Sequence, residues 1–501
     1  MYKMKNTFIK TLVSLIFIIG LASCSDDYFD VNTPSGSQDI ADLEMKDLLA
    51  PVEYNTMLAQ YYTETVFGNY AQNFGSYGSG AAGRTQNSGT WSTIYLRVLP
   101  NLKAIKAKAQ ESNSIYYDAI AKVLTAINIG LATDSWDNIP YSQAAMGQDN
   151  PYPTFDTQQA IYDEIFSLLD SAITELQDTD TSNFNVIHND MIYGGNIDQW
   201  LRAAYTLKAR FQLHLVNKGV VSPNDVLTTI ANGFTSNADN FMMPYPDDIN
   251  NPWYASNVLT RNTGNFYRAP NDQLVGLMNG NSYPFSTISE DPRLSELFVK
   301  EDALNIPSPA TDPWRGFING GDGLSFDGQP GNVFFRDGAF YFSANAPLVL
   351  ITYSEAMFIK AEAAFLANGG NATSTGTNAD AYSAYIEGIN ANMDMLGVDG
   401  SAYVSDSSVD VGMGNLMLHN IMREKYIANF LNPETYNDMR RYDFSADVFK
   451  DLAVRQTQDP TEEYAGEWFR RAEYPNSERN SNQDNVLSNY QEPTYPVWWD
   501  Q

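Results

Sequence analysis

Apolar residues recur at the spacing of a helix face in separate blocks along this chain. The clearest block runs from Ile161 to Leu176, where apolar positions follow one another at intervals of three or four. Asp156 is placed to cap this helix, and Gln159 stands three residues later as its capping-box partner. A second stripe runs from Trp200 to Leu215 and ends before Gly219, a common C-terminal signal. Both patterns predict α-helices.

Further blocks extend the helical prediction over most of the chain. Thr352 and Glu355 form a possible capping box before a helix that ends at Asn368, Gly369 and Gly370. Other helical blocks lie at about 41 to 66, 92 to 109, 114 to 132, 379 to 395 and 413 to 431. Consecutive helices joined by short turns indicate packed helix pairs, although no consensus repeats at a fixed period. The sequence therefore predicts a mainly all-α fold.

Between about residues 233 and 347 the helical pattern is interrupted, and Gly, Asn, Asp, Pro and aromatic residues dominate. One short helical candidate lies at Asp272 to Asn279. Asn332–Arg336 and Ala339–Ser343, separated by Asp337 and Gly338, predict a β-hairpin on a type I′ turn. A long non-periodic stretch is either disordered or a binding region, and its aromatic content argues against disorder. We expect this loop-rich subregion to bind the ligand.

The first 23 residues have the order of a lipoprotein signal peptide. Basic residues come first, an apolar run of about ten residues follows, and small residues precede Cys24, the single cysteine. The run is too short to remain as a transmembrane helix, which needs about 20 residues. We expect Cys24 to be acylated, residues 24–38 to form a flexible tether, and residues 39–501 to form a single domain. A chance cysteine after an ordinary secretory signal is the alternative.

Charge and motifs exclude several classes of function. A net charge of −30 without any basic stripe argues against nucleic acid as a partner. The chain contains no phosphate-binding Gly-Lys-Ser/Thr loop and no Gly-x-Ser-x-Gly elbow. His188, His214 and His419 stand far apart, so no histidine metal site is indicated, and His214 is expected to be a packed residue. We expect no cofactor, while a structural Ca²⁺ ion in an Asp/Asn loop and a pair of glycosidase carboxylates among the 60 acids stay open.

The loops combine flat rings with amide and guanidinium groups, a mixture that suits a saccharide. A sugar ring stacks its apolar face on an aromatic ring, and its hydroxyl groups need directed hydrogen bonds. The same mixture suits a peptide, and any of these rings could instead pack beneath its own loop. Trp253, Tyr254 and Trp314 lie outside any helical pattern and are the better candidates. The complete set of candidate ligand-binding residues is Tyr77, Arg84, Trp136, Trp253, Tyr254, Asn257, Arg261, Asn265, Tyr267, Trp314 and Arg315.

A series of motifs spanning the chain resembles the SusD/RagB-like outer-membrane lipoproteins of Bacteroidetes. It begins at the cysteine with Ser25 to Pro34, where the acids Asp26 and Asp27 resemble a surface-export signal. It continues through Asp137–Ser142, Trp200–Arg210, Thr352–Ala363, Glu434–Tyr442 and Arg470–Asn480. The order of these motifs, together with the cysteine after the signal, makes the resemblance specific.

The resemblance implies a scaffold of four tetratricopeptide-like helix pairs, with a loop-rich second half that contains short β-hairpins. It implies a non-enzymatic, lipid-anchored receptor on the surface of the outer membrane. Such a receptor captures oligosaccharides and acts as a lid on a SusC-like TonB-dependent transporter. The motifs lie mostly on the scaffold, so they assign no ligand residue, and the pairs Arg440/Arg441 and Arg470/Arg471 are interpreted as structural ion pairs. A surface-anchored glycoside hydrolase, which needs only two carboxylates about 5 to 10 Å apart, and a receptor for peptides or another nutrient remain as alternatives.

Overall fold

The computed structural model describes residues 42–76, 84–179, 187–246, 249–263, 268–301, 307–318, 331–455 and 463–501. The predicted signal peptide, Cys24 and the tether lie outside these ranges, and so do three candidate ligand residues, Tyr77, Asn265 and Tyr267. Met45–Gln501 forms one compact unit.

Helices make up most of this unit, which confirms the predicted mainly α-helical class. The α-helices of the described residues are α1 (Met45–Tyr70), α2 (Ser88–Thr93), α3 (Leu99–Ser112), α4 (Ile115–Trp136), α5 (Gln158–Leu176), α6 (Ile197–His214), α7 (Pro223–Ile230), α8 (Thr260–Asn262), α9 (Asp272–Met278), α10 (Arg293–Leu297), α11 (Tyr353–Ala367), α12 (Ala379–Leu396), α13 (Ser401–Val404), α14 (Leu418–Ala428), α15 (Glu434–Arg441), α16 (Asn476–Ser481) and α17 (Gln483–Asn489). The π-helical turns Ile94–Val98 and Tyr254–Leu259 lead into α3 and α8. The strands are β1 (Phe74–Ser76), β2 (Phe241–Met243), β3 (Arg268–Pro270), β4 (Phe298–Lys300), β5 (Val333–Phe335) and β6 (Leu348–Ile351).

The N terminus of α5 is capped one residue later than the sequence predicts. The side chain of Thr157, not of Asp156, accepts the hydrogen bond from the backbone amide of Ala160, at 3.3 Å. The Asp156 carboxylate instead accepts from the backbone amides of Tyr141 and Ser142, at 3.0 and 2.8 Å. Asp156 therefore holds the loop after α4, a tertiary role that its spacing does not show.

Thr352 caps α11 as predicted, because its hydroxyl accepts from the amide of Glu355 at 3.1 Å. The reciprocal half of the predicted capping box is not formed. The Glu355 carboxylate points away from the cap and pairs with the Arg210 guanidinium at 2.7 Å. The motif is therefore split between a local cap and an ion pair that ties α11 to α6.

Consecutive helices pack on one another from α3 to α7, and α11 packs on α12, α7 and α14. The rings of Trp136 and Trp200 are fully buried in this helical core. In the described part of the chain, α4 is the helix long and apolar enough to cross a membrane, but 89% of its apolar window is buried inside the protein. It is therefore a core helix. The specific tetratricopeptide-like pairing stays a prediction.

The strands join segments that are far apart in sequence. The antiparallel pairs are β1 with β3, β2 with β6, and β4 with β5. Single parallel bridges, Asn271 to Phe317 and Arg315 to Asn332, connect the first and third pairs through the segment 315–317. The resulting small layer has its own hydrophobic cluster of Ala269, Phe317 and Phe334.

The predicted hairpin between Asn332–Arg336 and Ala339–Ser343 is wrong in its pairing. β5 pairs with β4, with Phe335 opposite Phe298 and Val333 opposite Lys300. A type I′ turn needs positive φ at both central residues, and Gly338 has φ of 82° whereas Asp337 does not have positive φ. Phe342 instead folds back to stack on Phe335, with ring centroids 4.5 Å apart. Burial of these rings outweighs the local turn signal.

Candidate ligand-binding cleft

Two of the predicted ligand-binding rings are internal. Trp253 is 4% exposed and packs between Tyr61 and Phe74, with ring centroids at 4.6 and 5.9 Å. Trp136 is 0% exposed, and its Nε1 donates to the carbonyl oxygen of Glu473 at 2.9 Å. Neither ring is exposed to solvent. Both rings therefore pack inside the protein, which is the alternative that the sequence left open.

Two polar candidates are also buried. The Asn257 amide donates to the carbonyl oxygen of Trp253 at 2.8 Å and closes its own turn. The Arg261 guanidinium donates to the carbonyl oxygen of Phe335 at 3.1 Å and lies 5.3 Å from the centroid of the Phe334 ring. Burial lowers the pKa of Arg261, and the carboxylate of Glu301 at 3.2 Å opposes that shift. Arg261 therefore stabilises the small β layer by binding its strand β5.

The remaining candidates of the loop-rich subregion are half-buried. Tyr254 begins the π-helical turn, whose Ser256 hydroxyl receives a hydrogen bond from Tyr61 at 3.1 Å. Trp314 donates from Nε1 to Glu290 at 2.6 Å, and the Lys300 ammonium lies 4.8 Å from the centroid of its ring. Arg315 pairs through its backbone with Gly331 and Val333. These three side chains keep a solvent-facing part on which a ligand can lie.

Arg84 is an exposed candidate that lines an open cleft of about 470 Å³. Its guanidinium forms ion pairs with Glu463 and Glu473, both at 2.7 Å. The cleft is lined by Tyr62, Thr65, Val66, Arg84, Thr85, Gln86, Asn87, Ser88, Gly89 and Glu473. It combines one aromatic ring, amides, hydroxyl groups, a cation and a carboxylate. Such a lining can donate to and accept from the hydroxyl groups of a saccharide.

The C-terminal segment holds one wall of this cleft. The backbone amide of Glu473 donates to the carbonyl oxygen of Thr85 at 2.8 Å, and that of Asn476 donates to the Gln86 side chain at 3.0 Å. At the opposite wall, a Cβ on Gly89 would lie 2.9 Å from the Tyr62 ring, so only glycine allows α2 to approach α1 this closely. Trp136 supports the wall formed by the C-terminal segment, because its Nε1 donates to the carbonyl oxygen of Glu473.

A buried acid lies on α1 between the cleft and the small β layer. Burial raises the pKa of Glu64 to about 8, although a hydrogen bond from Asn73 at 3.1 Å and the charge of Arg268 oppose that shift. Glu64 is therefore mostly protonated at neutral pH and carries no charge toward the cleft.

His214 belongs to a buried network, not to a reactive site. Its Nε2 lies 2.8 Å from the Glu434 carboxylate, and the Tyr162 hydroxyl joins its Nδ1 to Asp134, with both distances 2.7 Å. One possible metal-ligand atom from each of Asp134, His214 and Glu434 lies within 4.8 Å of the others. These three side chains are already connected by hydrogen bonds, directly or through the Tyr162 hydroxyl. Burial would raise the pKa of Glu434, yet His214 holds it below its usual range. His214 is therefore a buried, packed residue, as the sequence predicts.

The arginine pairs are structural, with one difference from the prediction. Arg441 pairs with Glu362 at 2.7 Å, Arg470 with Asp500 at 2.8 Å and Arg471 with Asp137 at 3.3 Å. Arg440 forms no ion pair with any residue that the structure describes: its guanidinium donates to the carbonyl oxygens of Asp134 and Arg470 and lies 4.6 Å from the Trp499 ring centroid.

Sequence reasoning missed Tyr62, Gln86 and Glu473 as cleft residues. Tyr62 lies within a helical block, where an aromatic residue is normally assigned to the core. Glu473 is 389 positions from Arg84, so no local pattern connects them. A motif did contain Glu473, but nothing in that motif showed which element it would meet.

The chain matches a family model described as starch-binding and associating with the outer membrane, over residues 37–487. No curated protein matches it.

Solved structures of similar fold include a SusD homologue from Bacteroides uniformis, at 20% identity, covering 93% of this chain and 100% of that one, with a TM-score of 0.72. A chitin-binding SusD homologue from Flavobacterium johnsoniae is 20% identical, with 91% and 98% covered and a TM-score of 0.71. A SusD/RagB family protein from Bacteroides thetaiotaomicron is 22% identical, with 92% and 99% covered and a TM-score of 0.68. At these identities the likeness establishes the shared fold.

Proposed function

The chain belongs to the SusD-like family described as starch-binding and associating with the outer membrane, and on that premise we propose that it captures oligosaccharides at the cell surface without hydrolysing them. The observation that carries the proposal is the cleft beside α1, where the Tyr62 ring stands among amide, hydroxyl, carboxylate and guanidinium groups. A volume of about 470 Å³ falls within the usual range of small-molecule sites.

The π-helical turn Tyr254–Leu259 lies next to the part of α1 that lines the cleft. Tyr61 of α1 donates a hydrogen bond to this turn, and the next residue, Tyr62, lines the cleft. We therefore assign Tyr254 to the surface beside the cleft. Trp314 and Arg315 are proposed as further contacts at the small β layer, and Tyr77, Asn265 and Tyr267, outside the described residues, stay candidates. Trp136, Trp253, Asn257 and Arg261 are assigned to support of the site, since they are buried.

The proposal includes the location and the partner. Acylation of Cys24 would tether the receptor to the outer face of the outer membrane, and two or three acyl chains would make that attachment lasting. A SusC-like TonB-dependent transporter would receive the captured glycan beneath this lid. Cys24→Ser should release the protein from membranes, and co-purification of a transporter with the tethered protein should test the partnership.

Binding is tested on the protein that begins at Ser25, with starch-derived and chitin-derived oligosaccharides as the first probes, because the relatives are described by these two polymers. We expect saturable binding, and we expect Tyr62→Ala and Arg84→Gln each to weaken it by about 1 to 3 kcal/mol. Tyr205→Ala is the matched control, because Tyr205 is bonded to Gln177 on the scaffold and does not line the cleft.

Two results would overturn the proposal. Failure of a full glycan array to give saturable binding would exclude an oligosaccharide receptor. Release of shorter sugars, abolished by replacing one Asp or Glu, would instead establish the hydrolase alternative.

A further inference from the structure

A second and larger cavity lies within the helical scaffold. It has a volume of about 570 Å³ and shares no lining residue with the cleft beside α1. It is lined by Leu99, Leu102, Lys103, Lys106, Ala107, Gln110, Thr125, Tyr141, Ser142, Ala144, Ala145, Asp156, Ala160, Ile161 and Glu164. Its walls thus come from α3, α4, α5 and the loop that follows α4.

The loop that forms one wall is held in place before any ligand arrives. The Asp156 carboxylate accepts from the amides of Tyr141 and Ser142, and from the Ser142 hydroxyl at 2.7 Å. Ile139 and Asp156 also exchange both backbone hydrogen bonds, at 3.1 and 2.8 Å. These neutral donors fix the position of the Asp156 carboxylate, which keeps its negative charge at the edge of the cavity.

One wall carries two lysines that form no ion pair with a described residue. Lys103 and Lys106 follow each other by three positions on α3, so both face the cavity. Lys106 is half-buried, and no described residue forms a hydrogen bond or ion pair with its ammonium group. Lys103 reaches only the carbonyl oxygen of Ala145, at 3.5 Å. An ammonium group that forms no ion pair within the protein can make a charge-assisted hydrogen bond to the carboxylate of a ligand.

The facing wall offers an acceptor and an apolar surface. The Tyr141 hydroxyl donates to the Glu164 carboxylate at 3.2 Å, and burial together with Glu164 raises the Tyr141 pKa above its usual range. The phenol therefore keeps its proton at neutral pH, and Glu164 stays an acceptor. The lining also contains aliphatic side chains, among them Leu99, Leu102 and Ile161. Such a surface suits an aliphatic side chain better than the hydroxyl-rich edges of a sugar.

We propose that this cavity binds a short peptide that has a free carboxylate, a free amino group and an apolar side chain. The carboxylate lies against Lys106 and Lys103, the ammonium group against Glu164, and the apolar side chain on the aliphatic surface. The site is separate from the proposed glycan cleft, so a peptide and an oligosaccharide bind without competing.

The test uses the chain beginning at Ser25, which contains the whole compact unit Met45–Gln501. Leucyl-leucine is titrated calorimetrically beside its C-terminal amide and its N-acetyl derivative. We expect the amide and the N-acetyl form each to bind at least about tenfold more weakly, because each loses one charge-assisted contact. Equal affinities of the three compounds, or no saturable binding up to about 10 mM, would overturn the proposal.

Variants identify the site. Lys106→Met should weaken leucyl-leucine at least about tenfold and abolish the preference for the acid over the amide. Glu164→Gln should abolish the preference for the free amine. Lys108→Met on the same helix is the control, because Lys108 does not line the cavity. Wild-type affinity of Lys106→Met would refute the assignment, and loss of oligosaccharide binding alone would count only against the cleft beside α1.

Discussion

The helical scaffold and the loop-rich subregion, residues 233–347, are stabilised in different ways. Scaffold helices begin at local caps such as Thr352 and pack on their neighbours in sequence. The loop-rich subregion depends on partners far along the chain: β3 pairs with β1, and β2 with β6. Local patterns therefore suffice to place the scaffold helices, whereas the short strands of the loop-rich subregion form only after distant segments have met.

Buried charge shows the same contrast. Within the scaffold, burial would raise the pKa of Glu362, but Arg441 and Lys425 lower it to about 2, so it is ionised and paired. Glu64, which faces β1 and the loops, has its pKa raised by burial to about 8. Glu362 is therefore ionised beside its cations, whereas Glu64, where α1 meets β1, is kept neutral by burial.

The largest expected effect comes from breaking the ionic link between the two regions. Arg293 of α10 pairs with Asp291 at 2.6 Å and with Glu424 of the scaffold helix α14 at 2.8 Å, and all three side chains are fully buried. Arg293→Met leaves two buried carboxylates with less compensation. We expect the free energy of unfolding, measured in urea, to fall by about 3 to 5 kcal/mol.

The control for this prediction lies in the same subregion. Arg336 pairs with Glu296 at 2.9 Å, but the two side chains are 44% and 39% exposed. Arg336→Met should change stability by less than about 1 kcal/mol, because water screens an exposed pair. Similar losses for the two variants would show that the link between the regions contributes no more than a surface ion pair.

An effect spread over several pH units is expected in the pH dependence of stability. Glu64 has a folded pKa of about 8 against an ordinary value of 4.5, so the folded state holds this proton more tightly than the unfolded state. Its contribution is fully present below pH 4.5 and is lost as pH rises to about 8, at about 1.4 kcal/mol per pH unit. Glu64→Gln should flatten this slope in urea titrations.

Glu111→Gln, at an exposed position of α3, is the control and should retain the wild-type slope. If Glu64→Gln also retained the wild-type slope, Glu64 would be ionised in the folded protein, and the contrast with Glu362 would disappear.

The smallest effect concerns a purely local signal of the scaffold. Thr352→Ala removes the hydroxyl that accepts from Glu355 at the start of α11, and should lower stability by about 1 kcal/mol. Thr352→Ser keeps the hydroxyl and should stay near wild type. Equal losses for Ala and Ser would mean that packing of the Thr352 methyl group, and not the cap, stabilises this helix.

Most scaffold helices were predictable because their signals are contained in a few neighbouring residues. The stripes at Ile161–Leu176 and Trp200–Leu215 lie on α5 and α6, and the cap at Thr352 begins α11. The predictions were wrong where a side chain that was expected to act locally binds a partner elsewhere in the fold. Asp156 holds Tyr141 and Ser142 in place of a helix end, and Phe342 stacks on Phe335 in place of completing a hairpin.

The candidate site was less predictable, since burial is decided by the surroundings of a ring and not by the ring itself. Trp253 and Tyr254 are neighbours in one helical segment, yet the first is enclosed by Tyr61 and Phe74 and the second keeps a partly exposed side chain. The cleft also contains Tyr62 and Glu473, and the composition of the loops does not predict either residue.

The sequence by itself determined the helical class, the positions of the main helices and the resemblance that the family match confirms, because periodicity, caps and ordered motifs are local properties. Only the tertiary structure decided which rings face solvent and which residues share a cleft. Arg84 and Glu473 meet across 389 positions. That contact forms only when the elements between the two residues have folded, so the sequence around either residue does not predict it.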